Sequence, residues 1–336
     1  MLTKTSQIEA YLIREILNGK FREGEKLPSR NQLCRRFHCS RSIVENAVER
    51  LRCSGYAAAK QGSGTFVSNQ YLSRKAIRSL KIIADYPVFT DHPPLLAAPD
   101  LDDLNISVEW LPVEKAVSEL ADLYGSETAV ISIRPPVQQI PLLESLKRRN
   151  VPVLLLNRDY GGFDHIITDP QSSIREGISW LLIESGREIA FVSRRPVVNS
   201  PFLAERILSF YEAAIEFGAK LSPEWSLCKH FTSFTEDIAE IGHVLFGSPR
   251  RPKGIFILCS DLVLPIVTCG QGYGVFPGKD YKLLTFDTIP QLTKQSGIAM
   301  MEQPDLLFEQ EIRRWLQSVK NDQPFRSALK TNLNIF

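Results

Sequence analysis

Leu27-Pro28-Ser29-Arg30, then Cys39-Ser40-Arg41-Ser42-Ile43-Val44, then Lys60-Gln61-Gly62-Ser63-Gly64-Thr65-Phe66-Val67 follow one another near the start of the chain. In order, they read as a helix start, a second helix start opening on small polar and cationic residues, and a glycine-tipped hairpin. Ser29 and Ser40 stand where an N-cap oxygen is wanted, and His38-Cys39-Ser40 makes a three-residue break between the two helices. Upstream, Ile8, Leu12, Ile16 and Leu17 fall at helical spacing and Gly19 ends that run. Leu33, Cys34 and Phe37 line the second helix, and Val44, Ala47, Val48 and Leu51 the third, which Gly55 is placed to stop. Tyr56–Ala59 and Thr65–Val67 are two short strands around the glycine tip. The order predicts a winged helix-turn-helix over residues 1–68, with its third helix in the DNA major groove and its hairpin on the adjacent backbone.

The chemistry follows from that placement. Residues at the N-terminus of a recognition helix reach base edges, which makes Arg41 and Ser42 the expected readers. The arginine fork matches guanine O6/N7, a contact worth roughly 1–3 kcal/mol of discrimination. Hydroxyls of Ser29 and Ser40 and the exposed helix starts can hold phosphates. Gly62 and Gly64 let the wing approach the sugar-phosphate chain with no side chain in the way. Arg30, Lys60 and Gln61 complete the expected DNA-facing set.

Charge supports this division. Residues 1–80 hold 15 Lys/Arg against 6 Asp/Glu, whereas residues 81–336 hold 25 against 32, so a net charge of +2 conceals a basic head on an acidic body. That asymmetry suits a phosphate-backbone binder attached to a second functional unit. With 336 residues there is enough chain for a small domain and a large one. No stretch approaches the ~20 apolar residues of a membrane span, and the amphipathic start does not read as a signal peptide, so a cytoplasmic protein with no membrane partner is expected. Six cysteines show neither C-x-x-C pairs nor Cys/His ligand spacing. They read as reduced thiols, with no metal implied.

Residues 69–80 are polar and basic and read as a linker. Beyond them, strand-like runs (Lys81–Ala84, Ile106–Trp110, Ala129–Ile133, Val153–Leu156, Ile189–Val192, Gly254–Leu258, Leu283–Phe286) alternate with helical patterns (Ser172–Ile183, Phe202–Phe217, Thr235–Leu245, Leu306–Val319). Such alternation predicts an α/β fold with parallel sheets and ligand groups on loops at the strands' C-terminal ends. Gly270-Gln271-Gly272-Tyr273-Gly274 imitates a dinucleotide loop. It follows a helix and precedes a strand, the reverse of what a Rossmann phosphate site needs, so it reads as a glycine-rich helix exit.

The head resembles the GntR family of bacterial regulators, whose pattern G-x-L-P-S-E-R-x-L, S-R-x-T-V-R-x-A-L and G-x-G-T-F-V matches most of residues 8–67. Two departures bear on DNA contacts: Arg30-Asn31 replaces the glutamate-arginine pair, and Glu45 replaces an arginine. Arg30 is in reach to substitute for the shifted arginine. Glu45 either reads cytosine N4 or pairs with a nearby arginine, the second being favoured.

The body resembles the LacI-type, periplasmic-binding-protein-like sensor domain over most of residues 80–336. The carrying residues are Arg206–Phe210 with Gly218, Cys259-Ser260-Asp261, Gly272–Tyr281 with Thr285-Phe286-Asp287, and Gln303-Pro304. The resemblance implies a two-lobed effector domain over residues 81–336, closing on a small polar molecule such as a sugar or sugar acid. It places Asn157, Arg158, Asp169, Arg206, Phe231, Asp261 and Asp287 at that site. Arg134, Arg194 and Arg195 also follow strand ends and hint at an acidic ligand. Pro87, Pro93, Pro94 and Pro99 oppose the long helix that the family carries there for subunit pairing.

These readings together imply a homodimeric DNA-binding regulator, a repressor, that grips a double-stranded operator under control of the effector. One alternative is a body that only dimerises. The other is a pyridoxal-phosphate-dependent fusion, for which the body is short and offers no lysine with an aspartate partner. The five histidines are scattered without spacing, so neither catalytic set nor cofactor is expected.

Overall fold

The computed structural model describes residues 3–60, 62–68, 77–84, 101–121, 123, 127–319 and 324–336. The chain divides into two units, Met1–His165 with Glu309–Arg326, and Ile166–Phe308 with Ser327–Phe336. It therefore passes between them three times.

The first unit begins with three helices, α1 (Lys4–Leu17), α2 (Arg30–Phe37) and α3 (Arg41–Cys53), and a hairpin of β1 (Ala57–Lys60) and β2 (Gly64–Val67). Ile8, Leu12, Leu33, Val44, Ala47, Val48, Leu51 and Val67 bury together, so each apolar stripe read from the spacing meets the others in one core. Ser29 and Gln32 form a capping box: the Ser29 amide donates to Gln32 Oε1 at 2.8 Å and the Gln32 amide to Ser29 Oγ at 3.3 Å. Ser40 takes the N-cap position of α3, but its hydroxyl lies 3.0 Å from that of Ser42 instead of capping the helix. His38, at φ +47°, turns the chain between α2 and α3. Lys26 bridges to Phe66, and the Leu27 amide donates to the Thr65 carbonyl at 2.8 Å, so the wing is held along one edge by the segment that leads into α2.

The rest of the first unit runs β3 (Ser79–Ala84), β4 (Ser107–Pro112), α4 (Val113–Leu120), β5 (Thr128–Ile133), α5 (Ile140–Arg148), β6 (Val153–Leu156) and β7 (Asp164–Thr168). The second unit holds α6 (Pro170–Ser185), β8 (Glu188–Arg194), α7 (Pro201–Glu216), β9 (Lys220–Lys229), α8 (Phe234–Phe246), β10 (Gly254–Ile257), α9 (Ser260–Gly272), β11 (Lys282–Phe286) and β12 (Ile298–Glu302). Then come α10 (Asp305–Ser318), β13 (Arg326–Leu329) and β14 (Asn332–Ile335).

The two large sheets share one plan. Their strand orders are β13-β7-β6-β5-β3-β4 and β14-β12-β11-β10-β8-β9. In each, the second strand to be made lies outside the first, and the later strands run off the other side. Parallel registers join β3 to β4 and β5, and β8 to β9 and β10. This is a doubly wound arrangement whose direction of winding reverses between β3 and β5, and again between β8 and β10. β14 closes the second sheet antiparallel to β12. Behind that sheet, Phe191 stacks on Phe210 at 4.0 Å and lies 5.6 Å from Phe256. A Cβ on Gly177 would meet the Leu284 side chain at 3.0 Å, so α6 lies close against β11 there and a larger residue would need Leu284 to give way.

The seven strand runs read from the sequence coincide with β3, β4, β5, β6, β8, β10 and β11, and the four helical patterns with α6, α7, α8 and α10. Strands β7, β9, β12, β13 and β14 and helices α4 and α5 go beyond that reading. β9 carries Pro223 and polar positions, as an edge strand can. Ser79 and Leu80, at the end of the stretch that reads as a linker, belong to β3, and Leu80 is fully buried. The remainder of the linker (69–76), the proline-rich segment (87–99) and Gln61 lie outside the described residues. The glycine run ends α9 at Gly272, with Gly274 at φ +74°, as a helix exit.

Candidate functional site

In the head, Arg41 is the first residue of α3 and its side chain is 72% exposed. Its Nε donates to Glu45 Oε1 at 2.9 Å, one turn along the same helix, so Glu45 pairs with an arginine. Ser40 and Ser42 are exposed beside it. Arg30 is turned elsewhere. Its Nη1 donates to the buried Thr65 hydroxyl and ties the start of α2 to β2, so it braces the wing. At the hairpin, Lys60 Nζ lies 4.9 Å from the Phe66 ring, and Gly62 and Gly64 take φ +72° and +117°. Ser29 spends its hydroxyl on Gln32 Oε1 at 2.9 Å. The arrangement presents an arginine and two hydroxyls at one helix start next to a lysine-bearing, glycine-tipped wing. Those are the groups that base edges and phosphates require.

In the second unit, three of the expected effector residues, Phe231, Asp261 and Asp287, gather with Arg194 at the C-terminal ends of parallel strands. Arg194 ends β8, Phe231 follows β9, Asp261 lies in the first turn of α9 after β10, and Asp287 follows β11. Arg194 Nε donates to Asp261 Oδ2 at 3.0 Å, and its guanidinium lies 4.4 Å from the centre of the Phe231 ring. Asp287, at φ +69°, accepts from Gln303 Nε2 at 2.6 Å, and Gln303 Oε1 in turn accepts from Thr168 at 2.6 Å. The loop carrying Phe231 is fastened by Asp237, whose Oδ2 accepts from the amides of Thr232 at 2.8 Å and Ser233 at 3.0 Å. Those amides, with Lys229 beside it, hold the Asp237 carboxyl below its ordinary value. Arg206 projects from α7 with its guanidinium 3.7 Å from the Phe286 ring.

Asp169 differs from the others. It is the N-cap of α6 and accepts from the Gln171 amide at 2.9 Å and the Ser172 amide at 3.3 Å, with the Ser172 hydroxyl on its other oxygen. Its carboxylate is committed to the helix start. Asn157 and Arg158 belong to the first unit, where they follow β6, are nearly buried, and are joined by a 2.6 Å bond from Arg158 Nη1 to the Asn157 carbonyl. Gln303 was visible in the sequence only as part of a pattern. Its bond to Asp287 comes from a strand-end meeting that local sequence does not encode. Among the described residues no group of His, Cys, Asp and Glu is arranged to hold a metal, and no helix is long and apolar enough to cross a membrane.

Comparison with known proteins matches the head to one family and most of the chain to regulators. Residues 4–67 match the model of the bacterial regulatory proteins of the gntR family. The chain is 35% identical over 71 residues to the uncharacterized HTH-type transcriptional regulator YurK of Bacillus subtilis, a match covering 21% of this chain and 29% of that protein. Similarity to the arabinose metabolism transcriptional repressor of Halalkalibacterium halodurans runs further, at 20% identity over 85% of this chain and 81% of that one. Among solved structures, the transcriptional regulator CelR–cellobiose complex superposes with a TM-score of 0.59 at 16% identity, covering 88% of this chain and 90% of that chain. A putative ribose operon repressor from Burkholderia thailandensis gives 0.61 at 14% identity, covering 77% and 99%. These relatives and neighbours are transcription regulators, not enzymes. The chain thus joins a head, residues 4–67, that matches the gntR-family model to a body with the fold of LacI-family regulators.

Proposed function

We propose that this protein is a repressor that grips a double-stranded operator through α3 and the wing, and that a small polyhydroxylated effector of the sugar class sets the strength of that grip. The observation that carries the reading is the union in one chain of a head with an exposed Arg41 at a helix start and a doubly wound body with polar groups collected at its strand ends. Carboxylates and guanidinium groups at such ends bind hydroxyls through charge-assisted hydrogen bonds. The named sugar regulators among the relatives, an arabinose metabolism repressor and a cellobiose complex, support the effector class.

Function as a homodimer follows from need, because one head reading one half-site supplies too little affinity and specificity. To move the protein from mostly bound to mostly free, the effector must prefer one state by about 10⁴-fold, or about 5.5 kcal/mol. The test begins with in vitro selection of DNA by the purified chain. Fluorescence anisotropy on the selected site then follows, with and without a panel of pentoses, hexoses, disaccharides and their acids. A symmetric selected site, two chains per duplex by sedimentation, and a sugar that shifts the binding curve are the expected results. Selection that yields no sequence preference sinks the reading.

A further inference from the structure

We infer that Arg194 makes the body selective for an anionic effector, a sugar bearing a carboxylate or phosphate, and that Asp261 holds the place of that anion when the site is empty of ligand. The inference rests on the effector site of the proposed function and names the chemistry it takes.

The topology supplies the first reason. A doubly wound sheet opens a crevice at its carboxyl edge where the winding reverses, and ligands bind there. In the second unit that point lies between β8 and β10. Arg194 is the last residue of β8 and Asp261 lies in the first turn of the helix after β10, so the pair stands across it. The second reason is the geometry of the pair. Arg194 directs both Nε and Nη2 at the single oxygen Oδ2 of Asp261. A guanidinium satisfied by a carboxylate faces it fork to fork, one donor to each oxygen. Here Arg194 Nη1 and Asp261 Oδ1 make no hydrogen bond among the described residues. The Arg194 and Asp261 side chains are 33% and 56% exposed, so the pair is open to exchange.

The third reason is Phe231. An aromatic ring at a sugar site offers its face to the apolar side of a pyranose or furanose. Arg194 lies 4.4 Å from the centre of that ring and 5.7 Å from Phe234. A neutral sugar would have to move a guanidinium off its ring and carboxylate and could return only hydroxyl acceptors, weaker partners than the charged carboxylate it displaces. An acid or phosphate instead becomes the partner of Arg194, with two oxygens for the fork, and releases Asp261 to accept from the ligand's hydroxyls. Arg195 is exposed next in sequence and adds a second positive charge at the same edge.

The experiment uses the full chain and isothermal titration with matched ligands: each neutral sugar, its uronic or aldonic acid, and its phosphate ester. The acid or the phosphate is expected to bind at least about tenfold tighter than its neutral parent, the scale of one charge-assisted bond. Comparison of those two arms decides which anion is meant. Arg194→Gln should remove that preference. Asp261→Asn should strengthen anion binding, because the competing charge is gone while an amide still meets hydroxyls. Opposite signs from two variants at one ion pair cannot come from misfolding, and circular dichroism of both checks the fold. Equal binding of neutral and anionic ligands, or a preference that survives in Arg194→Gln, overturns the inference and leaves the sugar-effector reading standing. Silence from every ligand in the panel overturns both.

Discussion

Glu45 holds the Nε of Arg41 at 2.9 Å while leaving the two terminal nitrogens of that guanidinium outside the pair. Those two nitrogens are the ones a guanine O6/N7 edge needs. If α3 reads the operator as proposed, Glu45 aims Arg41 at the base edge at the cost of a negative charge near the phosphates. An exposed i,i+4 pair adds only about 0.3–0.5 kcal/mol to stability, so Glu45→Ala should leave the melting temperature nearly unchanged. It should raise affinity for scrambled DNA and narrow the gap between operator and scrambled sequence. Arg41→Ala should cost roughly 1–3 kcal/mol on the operator alone and leave a weak, salt-sensitive remainder. Anisotropy titrations on both duplexes over a salt series check this, and an unaltered sequence preference in Arg41→Ala would remove α3 from the role of reader.

The two wing glycines should behave differently. Gly64 sits at φ +117°, which side-chain-bearing residues rarely adopt, and a Cβ there would come within 2.8 Å of Lys26 Cε. Gly62 sits at φ +72° with open space around its Cβ direction. Gly64→Ala is expected to destabilise the head by about 1–3 kcal/mol through backbone strain and to weaken DNA binding. Gly62→Asn should be nearly neutral to stability, since asparagine tolerates the left-handed region. Urea denaturation of the two variants decides the matter, and equal losses would show the hairpin tip is not folded as described.

Much of this was legible in the chain because it is local. Caps, helical spacing and a glycine-tipped hairpin are written within a few residues of each other, and buried parallel strands such as Val153–Leu156 are unbroken apolar runs. Edge strands are different. β9 carries Pro223 and has one fully buried position among its ten residues, and β13 and β14 have none. Their pairing is decided by partners far away in sequence. The same holds at the site: Arg194, Asp261 and Asp287 were readable as strand-end polar residues. That Arg194 covers Phe231, that Arg30 braces the wing, and that Asp169 caps α6 depend on packing that spacing does not specify.

Gln303 links Asp287 to Thr168 through two bonds of 2.6 Å, with Gln303 8% and Thr168 6% exposed. Breaking such a chain leaves a buried polar group without its partner, which costs roughly 1–3 kcal/mol. Asp287→Ala should therefore lower stability by about that amount. Asp287→Asn, which keeps an acceptor for Gln303, should lose much less. Gln303→Glu keeps the bond from Thr168 but sets a carboxylate against Asp287, and is expected to destabilise more than Gln303→Ala. Thermal melts of the four variants test the order. If Asp287→Asn keeps the melting temperature yet loses the shift produced by effector, the free oxygen of Asp287 is the ligand contact.

Asp237 gives the fold a defined dependence on acid. The amides of Thr232 and Ser233 and the Lys229 ammonium hold its carboxyl below the ordinary value, against the opposing effect of burial. A carboxyl whose folded value is depressed contributes stability that is fully present above its unfolded value, about 3.9, and is lost as pH falls through the folded one. Asp237→Asn retains an acceptor for the two amides but abolishes the charge. The variant should be less stable than the parent at pH 7, and the difference should shrink only below about pH 4, the region of the unfolded value. Because the loop that Asp237 fastens carries Phe231, effector affinity should fall in the variant at neutral pH as well. Urea denaturation across the acid range measures the first effect and titration calorimetry the second. A stability gap that stays constant down to about pH 2 would mean that hydrogen bonding without charge holds the loop.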